Sequence, residues 1–303
     1  MDDLTTLNKN HYLKKNQIGR GIQMGVNIYE MVTQRILEQL EKGVIPWRKP
    51  WKGNPPMNYI TRKAYRGINV LLLPLPGEYM SFKQAKELGG HVRKGEKGHI
   101  ICFYKPLEID DQESGETKMI PYLKYSTIFH LSQIDGIESK VVPLHLENEI
   151  KPLEQAQNIF DRYIEWSGVT VNHVKGSDKA SYNAGRDEMT LPLISQFISS
   201  NEYASTGFHE AAHSTGHKSR LNRNVGTAAF GSKTYSREEL IAEITSAMLM
   251  NECGAELPDT FENSASYINS WMQKLKEDNT AIIKASSAAQ KAADMILLLN
   301  VEK

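Results

Sequence analysis

Apolar residues recur at helical spacing at Ile28, Met31, Val32, Ile36, Leu37 and Leu40, with Asn27 in position to cap the first turn and Gly43 and Pro46 to stop the last. This spacing predicts an amphipathic helix with one buried face. Residues 1–26 show no sustained period and carry Lys9, Lys14, Lys15 and Arg20, so they read as a flexible arm. Residues 44–80 are rich in Pro, Gly, Trp, Tyr and basic side chains and have little periodicity. SFKQAKEL, from Ser81, reads as a short capped helix, and GGHVRKGEKG reads as a glycine-bounded basic turn. Strands are expected at Ile100 to Tyr104 and Tyr125 to Leu131, separated by a polar acidic loop over 108–118.

Further along, Leu153 to Trp166 has helical spacing, and Tyr182 to Leu191 reads as one strand ending at Pro192. Helical stretches follow at about 201–217, 236–252 and, with breaks, 260–299. No internal repeat is evident. The pattern predicts an α+β fold with a flexible arm (1–26), an α+β domain (27–135), a connection (136–152) and a mainly helical domain (153–303).

The formal net charge is zero, which argues against a uniformly basic nucleic-acid coat and against an acidic mimic of DNA. The balance is a cancellation: residues 1–105 carry a net +10, residues 106–150 a net −6 and residues 151–303 a net −4. Cys102 and Cys253 are far apart and in no CxxC pair, which supports neither a disulfide framework nor a thiolate metal site. The densest apolar stretch, Val70 to Leu75, is short and interrupted by Pro74, far below the length of a bilayer span. These features predict a soluble cytoplasmic protein with no membrane partner.

The string FHEAAHSTGH carries the most chemistry. On a helix His209 and His213 share a face, so both imidazoles can meet one Zn²⁺, and Glu210 beside them can serve as general base toward a water that the metal acidifies. Mn²⁺, Co²⁺ or another divalent ion fits the same donors. The third ligand is expected from SREELIAEITSAML, where Glu239 and Glu243 share a face. In zinc peptidases resembling thermolysin, a downstream helix gives a Glu ligand and, one turn later, an acidic partner for a ligating His. That pattern makes Glu239 the ligand and Glu243 the partner, although periodicity alone fits the reverse equally well. The metzincin pattern fails because its third histidine would fall at Ser219; His217 is left as a residue near a helix end that could polarise substrate or orient a neighbour. A strand ahead of the motif helix is also compatible with an extended peptide pairing along a cleft.

Between Lys42 and Lys105 there are 13 Lys+Arg against 3 acidic residues, interleaved with Trp47, Trp51, Tyr59, Tyr65, Tyr79 and Phe82. Cations that neutralise phosphates and rings that stack bases suit a binder of single-stranded DNA. The candidate contacts are Trp47, Arg48, Lys49, Trp51, Arg62, Lys63, Tyr65, Arg66, Asn69, Arg93, Lys94 and Lys97. The same composition also fits aromatics in a core beneath a solvated basic face.

The helix ending in a glycine before PWRKPW, then YRGIN, SFKQAKELGG and VRKGEKG, followed by FHEAAHSTGH, FGSKTY, REELIAE, SWMQKLK and AQKAAD, resembles the ArdC-type antirestriction proteins of conjugative plasmids and integrative elements. The resemblance covers nearly all the chain beyond the arm. It implies an N-terminal domain that binds single-stranded DNA, a C-terminal zincin-like metallopeptidase domain, and protection of incoming DNA from restriction; the resemblance does not name a peptidase target, for which a host protein is the expectation. Relatives often carry a tryptophan just upstream of SFKQA, where Tyr79 could take its place here.

Overall fold

The computed structural model describes residues 27–48, 55–110, 117–141, 152–223, 233–255 and 264–299. The arm at 1–26, and Lys49 and Trp51, lie outside the described residues. The first helix, α1 (Ile28–Glu41), starts where the pattern puts it: the Asn27 side chain accepts from the backbone N–H groups of Tyr29 and Glu30, and Val32, Ile36, Leu37 and Leu40 are buried. Gly43 has φ +74°, a left-handed conformation that ends the helix at little steric cost.

Strand β1 (Met57–Asn58), helix α2 (Ile68–Leu72) and strand β2 (Glu78–Met80) then lead to α3 (Phe82–Glu87), whose Ser81 cap and Gln84 form a reciprocal capping box. After β3 (His91–Val92), two long strands, β4 (His99–Asp110) and β5 (Thr117–His130), pair antiparallel from His99↔Ile128 to Asp110↔Thr117. They run into both ends of the stretch expected to be a polar acidic loop, leaving residues 111–116 between them. Backbone pairing tolerates the polar side chains there, so polarity alone misplaces the strand ends. The sheet order is β1-β2-β5-β4, and β6 (Ile134–Asp135) pairs with β3.

Helix α4 (Pro152–Ser167) opens the second half, followed by β7 (Thr170–Val174), β8 (Ser181–Asn183) and β9 (Glu188–Pro192) in the order β7-β9-β8. β7 runs parallel to β9, and β8 is an antiparallel edge strand. The single strand expected over Tyr182 to Leu191 is two strands. The turn between them, AGRD, contains Gly185, and its Asp187 takes φ +50°, a reversal the alternating pattern around it does not reveal. Helices α5 (Ser200–Thr215), α6 (Lys233–Glu252), α7 (Ser264–Glu277) and α8 (Ala281–Ile296) complete the fold. Among the described residues, no helix is long and apolar enough to cross a membrane.

The largest core cluster draws on both halves: Val32, Ile36 and Leu40 of α1, Leu71 of α2 and Ile100 of β4 meet Leu240, Ile241 and Ile244 of α6, Trp271 of α7 and Ile283 of α8. A second core, around Phe160, Tyr163, Met189, Leu191, Phe208 and Met250, seats α5 against α4 and the small sheet. Polar contacts reinforce the first: the Gln290 side chain accepts from Gly67 N–H at 2.9 Å, and Arg66 pairs with Asp294.

Candidate metal centre

Helix α5 begins at a Ser199 cap whose hydroxyl accepts from Glu202 N–H at 3.2 Å, while Glu202 reaches back to Ile198 N–H at 2.9 Å. Its buried half holds Phe208 and Glu210 to Thr215. At Gly207 a Cβ would lie 3.3 Å from the Phe160 ring, so the missing side chain lets α5 sit close to α4. On the far side, α6 inserts Leu240, Ile241 and Ile244 into the main core, which turns Glu238, Glu239 and Glu243 toward α5.

The facing side chains converge. His209 Nε2 and His213 Nε2 lie 3.1 Å apart, and the two oxygens of Glu239 each stand 3.5 Å from one of them. One donor atom from each of the three residues can be chosen so that all lie within 4.8 Å of one another. Each imidazole turns its Nδ1 to a different carboxylate: His209 to Glu243 at 3.5 Å and His213 to Glu238 at 3.7 Å. A carboxylate at Nδ1 favours the proton there and leaves Nε2 free as a donor to a cation. Two inward Nε2 lone pairs and a carboxylate repel one another unless a proton or a metal lies between them, so the donor set fits a divalent ion. Glu210, 7% exposed, follows His209 on the same buried half of α5.

The charge balance at the site agrees. Burial opposes the His209 imidazolium, but the carboxylates of Glu239, Glu243 and Glu210 outweigh it and push the pKa up to about 9. In metal-free protein this cation contributes stability that is complete below the ordinary imidazole value of about 6.5 and is lost as pH rises through about 9. Thermal melts of chelator-treated protein should therefore fall across that window, and saturating divalent metal should abolish the fall by taking the proton's place. A flat metal-free profile would contradict this electrostatic account.

Glu238 and Arg223 are not evident from the sequence. Arg223 donates to both Glu238 oxygens, at 2.6 and 3.2 Å, and to Ala212 O and Thr215 Oγ1, each at 2.8 Å. Burial raises the Glu238 pKa, yet His213 and Arg223 hold the carboxyl below its usual range. Arg223 thus fastens the end of α5, where carbonyls lack helical partners, to the carboxylate that orients His213. The one signal in the sequence is the pair of adjacent acids in REEL; that both turn toward α5, each to a different nitrogen of His213, depends on helix packing.

His217 stands apart from the three donors. Its Nδ1 lies 2.7 Å from Ser219 Oγ and 3.9 Å from Asp187. Asp187 is held by Tyr182 OH at 2.6 Å and by Arg220, whose buried guanidinium also donates to Ser214 O at 2.7 Å, locking the β8–β9 turn to the end of α5.

The candidate DNA contacts are distributed differently. Trp47 is 2% exposed and packs edge-on against Trp271 with ring centroids 5.0 Å apart, so its ring is a core element and not a stacking surface. Tyr79 is likewise fully buried, its hydroxyl donating to Leu75 O at 2.9 Å. Asn69 clips α2 to β4, its amide donating to Cys102 O at 2.8 Å and accepting from Cys102 N–H at 2.7 Å, and so is committed to the fold. Arg62 pairs with Glu78, Arg66 with Asp294, and Arg93 with Glu96 at 2.8 Å and Asp135 at 3.2 Å. Lys63, Lys94 and Lys97 are exposed, Arg48 is half-buried, and Tyr65 is half-buried with its hydroxyl 3.4 Å from Asn58 Nδ2.

Residues 26–129 match the family model for the N-terminal domain of anti-restriction factor ArdC, and residues 158–288 match that for a zincin-like metallopeptidase. A crystal structure of the antirestriction ArdC protein of plasmid R388, in metal-free form, superimposes with a TM-score of 0.73 at 37% identity, covering 91% of this chain and all of that one. The same protein with Mn(II) bound gives a TM-score of 0.73 at 36% identity. The uncharacterized protein y4eC of Sinorhizobium fredii is 31% identical over 90% of this chain and 92% of its own length. DNA primase TraC of Escherichia coli is 36% identical over 89% of this chain, which spans only 20% of that protein. A second TraC primase from the same species is 35% identical, with 27% of its length spanned.

Proposed function

The chain belongs to the ArdC antirestriction family, and from that premise we propose that it protects incoming DNA by binding it single-stranded through residues 27–135, while residues 153–303 hydrolyse peptide bonds with a divalent metal. His209, His213 and Glu239 would hold the ion, Zn²⁺ by donor preference, with Mn²⁺ also accommodated. The observation that carries the reading is the meeting of these three donors within 4.8 Å beside Glu210. It is further supported by the R388 ArdC protein having been crystallised with Mn(II).

When bound, the metal supplies Lewis acidity and brings the pKa of water to roughly 7. The remaining work falls to side chains. Glu210 takes the proton of the attacking water and passes it to the leaving amine, as a general base followed by a general acid. Glu238 and Glu243 keep the imidazoles turned with Nε2 inward. The free edge of β8 offers backbone groups to an extended substrate.

Glu210→Ala separates catalysis from binding. The variant is expected to retain metal and single-stranded DNA but lose peptide hydrolysis by about 10²–10⁴-fold, measured on a peptide library with a metal-saturated enzyme. Unchanged cleavage, with contaminating protease excluded, would remove Glu210 from the mechanism.

A second reading, in which the metal holds the fold and DNA binding alone gives protection, has one observation in its favour. The helix that carries Glu239 also puts Leu240, Ile241 and Ile244 into the core shared with α1 and α2, so a metal on its outer face would brace the whole molecule. Under that reading antirestriction survives Glu210→Ala.

A further inference from the structure

With Trp47 and Tyr79 in the core, single-strand binding needs another source of ring faces, and the β4–β5 hairpin has one. Opposed residues of an antiparallel pair share a face, so the register Phe103↔Lys124 and Lys105↔Tyr122 sets these four side chains on one side. The other side of the same strands holds Ile100, Cys102 and Leu123, buried in the main core, and the exposed rings of Tyr104 and Tyr125, which no lysine of residues 99–105 or 122–130 accompanies on that side. All four outward residues are exposed, Phe103 at 43% and Tyr122 at 49%, and they alternate as two rings on one diagonal and two ammonium groups on the other. Lys124 Nζ lies 5.9 Å above the Tyr122 ring. The face continues at its root into half-buried Ile101 and Tyr65, which pack against the small cluster of Leu73, Tyr79 and Ile128.

Charge limits where a polyanion could lie. Neither His99 to Lys105 nor Tyr122 to His130 contains an acidic residue, whereas residues 106–121 hold five acids and a single lysine. A phosphate chain is attracted to the root of the hairpin and repelled from its far end. Exposed ring faces beside lysines suit unpaired bases, whose π-faces are free; duplex bases are already stacked on one another.

We infer that single-stranded DNA crosses the outward face of β4–β5 near its root, with bases stacked on Phe103 and Tyr122 and phosphates met by Lys105 and Lys124. This rests on the DNA-binding reading above and supplies the stacking faces that the buried rings of Trp47 and Tyr79 do not offer. The rings sit about 7–8 Å apart along the diagonal, so each takes its own base.

The test is fluorescence anisotropy of a labelled oligothymidine, and of a duplex of equal length, with the metal-loaded full chain across a salt series. Phe103→Ala with Tyr122→Ala is expected to weaken single-strand binding by at least tenfold with the salt slope intact. Lys105→Gln with Lys124→Gln is expected to weaken it and to lower the slope by about 1.4, the value for two single-strand phosphate contacts. Tyr104→Ala with Tyr125→Ala, on the opposite face, should bind as wild type, and the ring-retaining pair Phe103→Tyr and Tyr122→Phe should recover the affinity that the alanine pair loses. Melting temperature and metal content report folding for every variant. If wild type binds single strands but the Phe103/Tyr122 alanine pair binds equally well, or if duplex binds as tightly, the platform is rejected and DNA binding stands. If wild type binds no single strand, both fall.

Discussion

Glu239→Ala is expected to strip the protein of its metal, lowering divalent-ion affinity by more than about 100-fold, while Glu243→Ala costs between about 10- and 100-fold. The two acids are one turn apart on the same helix, and their distances assign different tasks. Glu239 reaches both Nε2 atoms at 3.5 Å, and Glu243 reaches only His209 Nδ1, also at 3.5 Å. Removing Glu239 takes away a donor and a negative charge from the place where the cation would sit. Removing Glu243 frees the His209 ring to rotate and weakens its basicity but leaves three donors in position. Competition titrations against a chromophoric chelator separate the two effects, and a larger loss in Glu243→Ala would reverse the assignment.

Trp47→Ala should destabilise the fold by about 3–5 kcal/mol, the cost of emptying an aromatic-sized space in a packed core. The ring lies edge-on to Trp271, joining the segment after α1 to α7 within the main core cluster. The indole Nε1–H has no hydrogen-bond partner among the described residues, so it is desolvated without compensation. Trp47→Phe gives up ring area but removes that penalty, and its cost should stay below about 1.5 kcal/mol. Urea denaturation of both variants, with single-strand binding measured under native conditions, distinguishes this role from base stacking. A stable Trp47→Ala protein that has lost DNA affinity would return the residue to the DNA surface.

Several local features are legible because their causes are local. Asn27, Ser81 and Gly43 act within a turn of their own helix ends, through one side-chain oxygen or one positive φ. The i, i+4 spacing of His209 and His213 is sufficient by itself to bring two imidazoles to one face of the helix. The hairpin is illegible for the opposite reason: the pairing that carries β4 through Asp110 and starts β5 at Thr117 comes from backbone groups on a partner strand, and polar side chains do not veto it. The reversal at Asp187 leaves no mark in the pattern because β9 finds its parallel partner in β7, well upstream, and β8 is an added edge.

The chain by itself determined the helix with two histidines and a glutamate, the acidic helix that answers it, and a basic, aromatic first third hidden in a neutral whole. Only the tertiary structure decided which acid turns to which nitrogen, because that depends on how α6 rotates when Leu240, Ile241 and Ile244 seek the core. It also decided which aromatics are buried. Trp47 and Tyr79 read the same as Phe103 and Tyr122 in composition; Trp47 is buried where helices from both halves meet and Tyr79 beneath Leu73 and Ile128, whereas among the described residues the outward hairpin face leaves Phe103 and Tyr122 exposed.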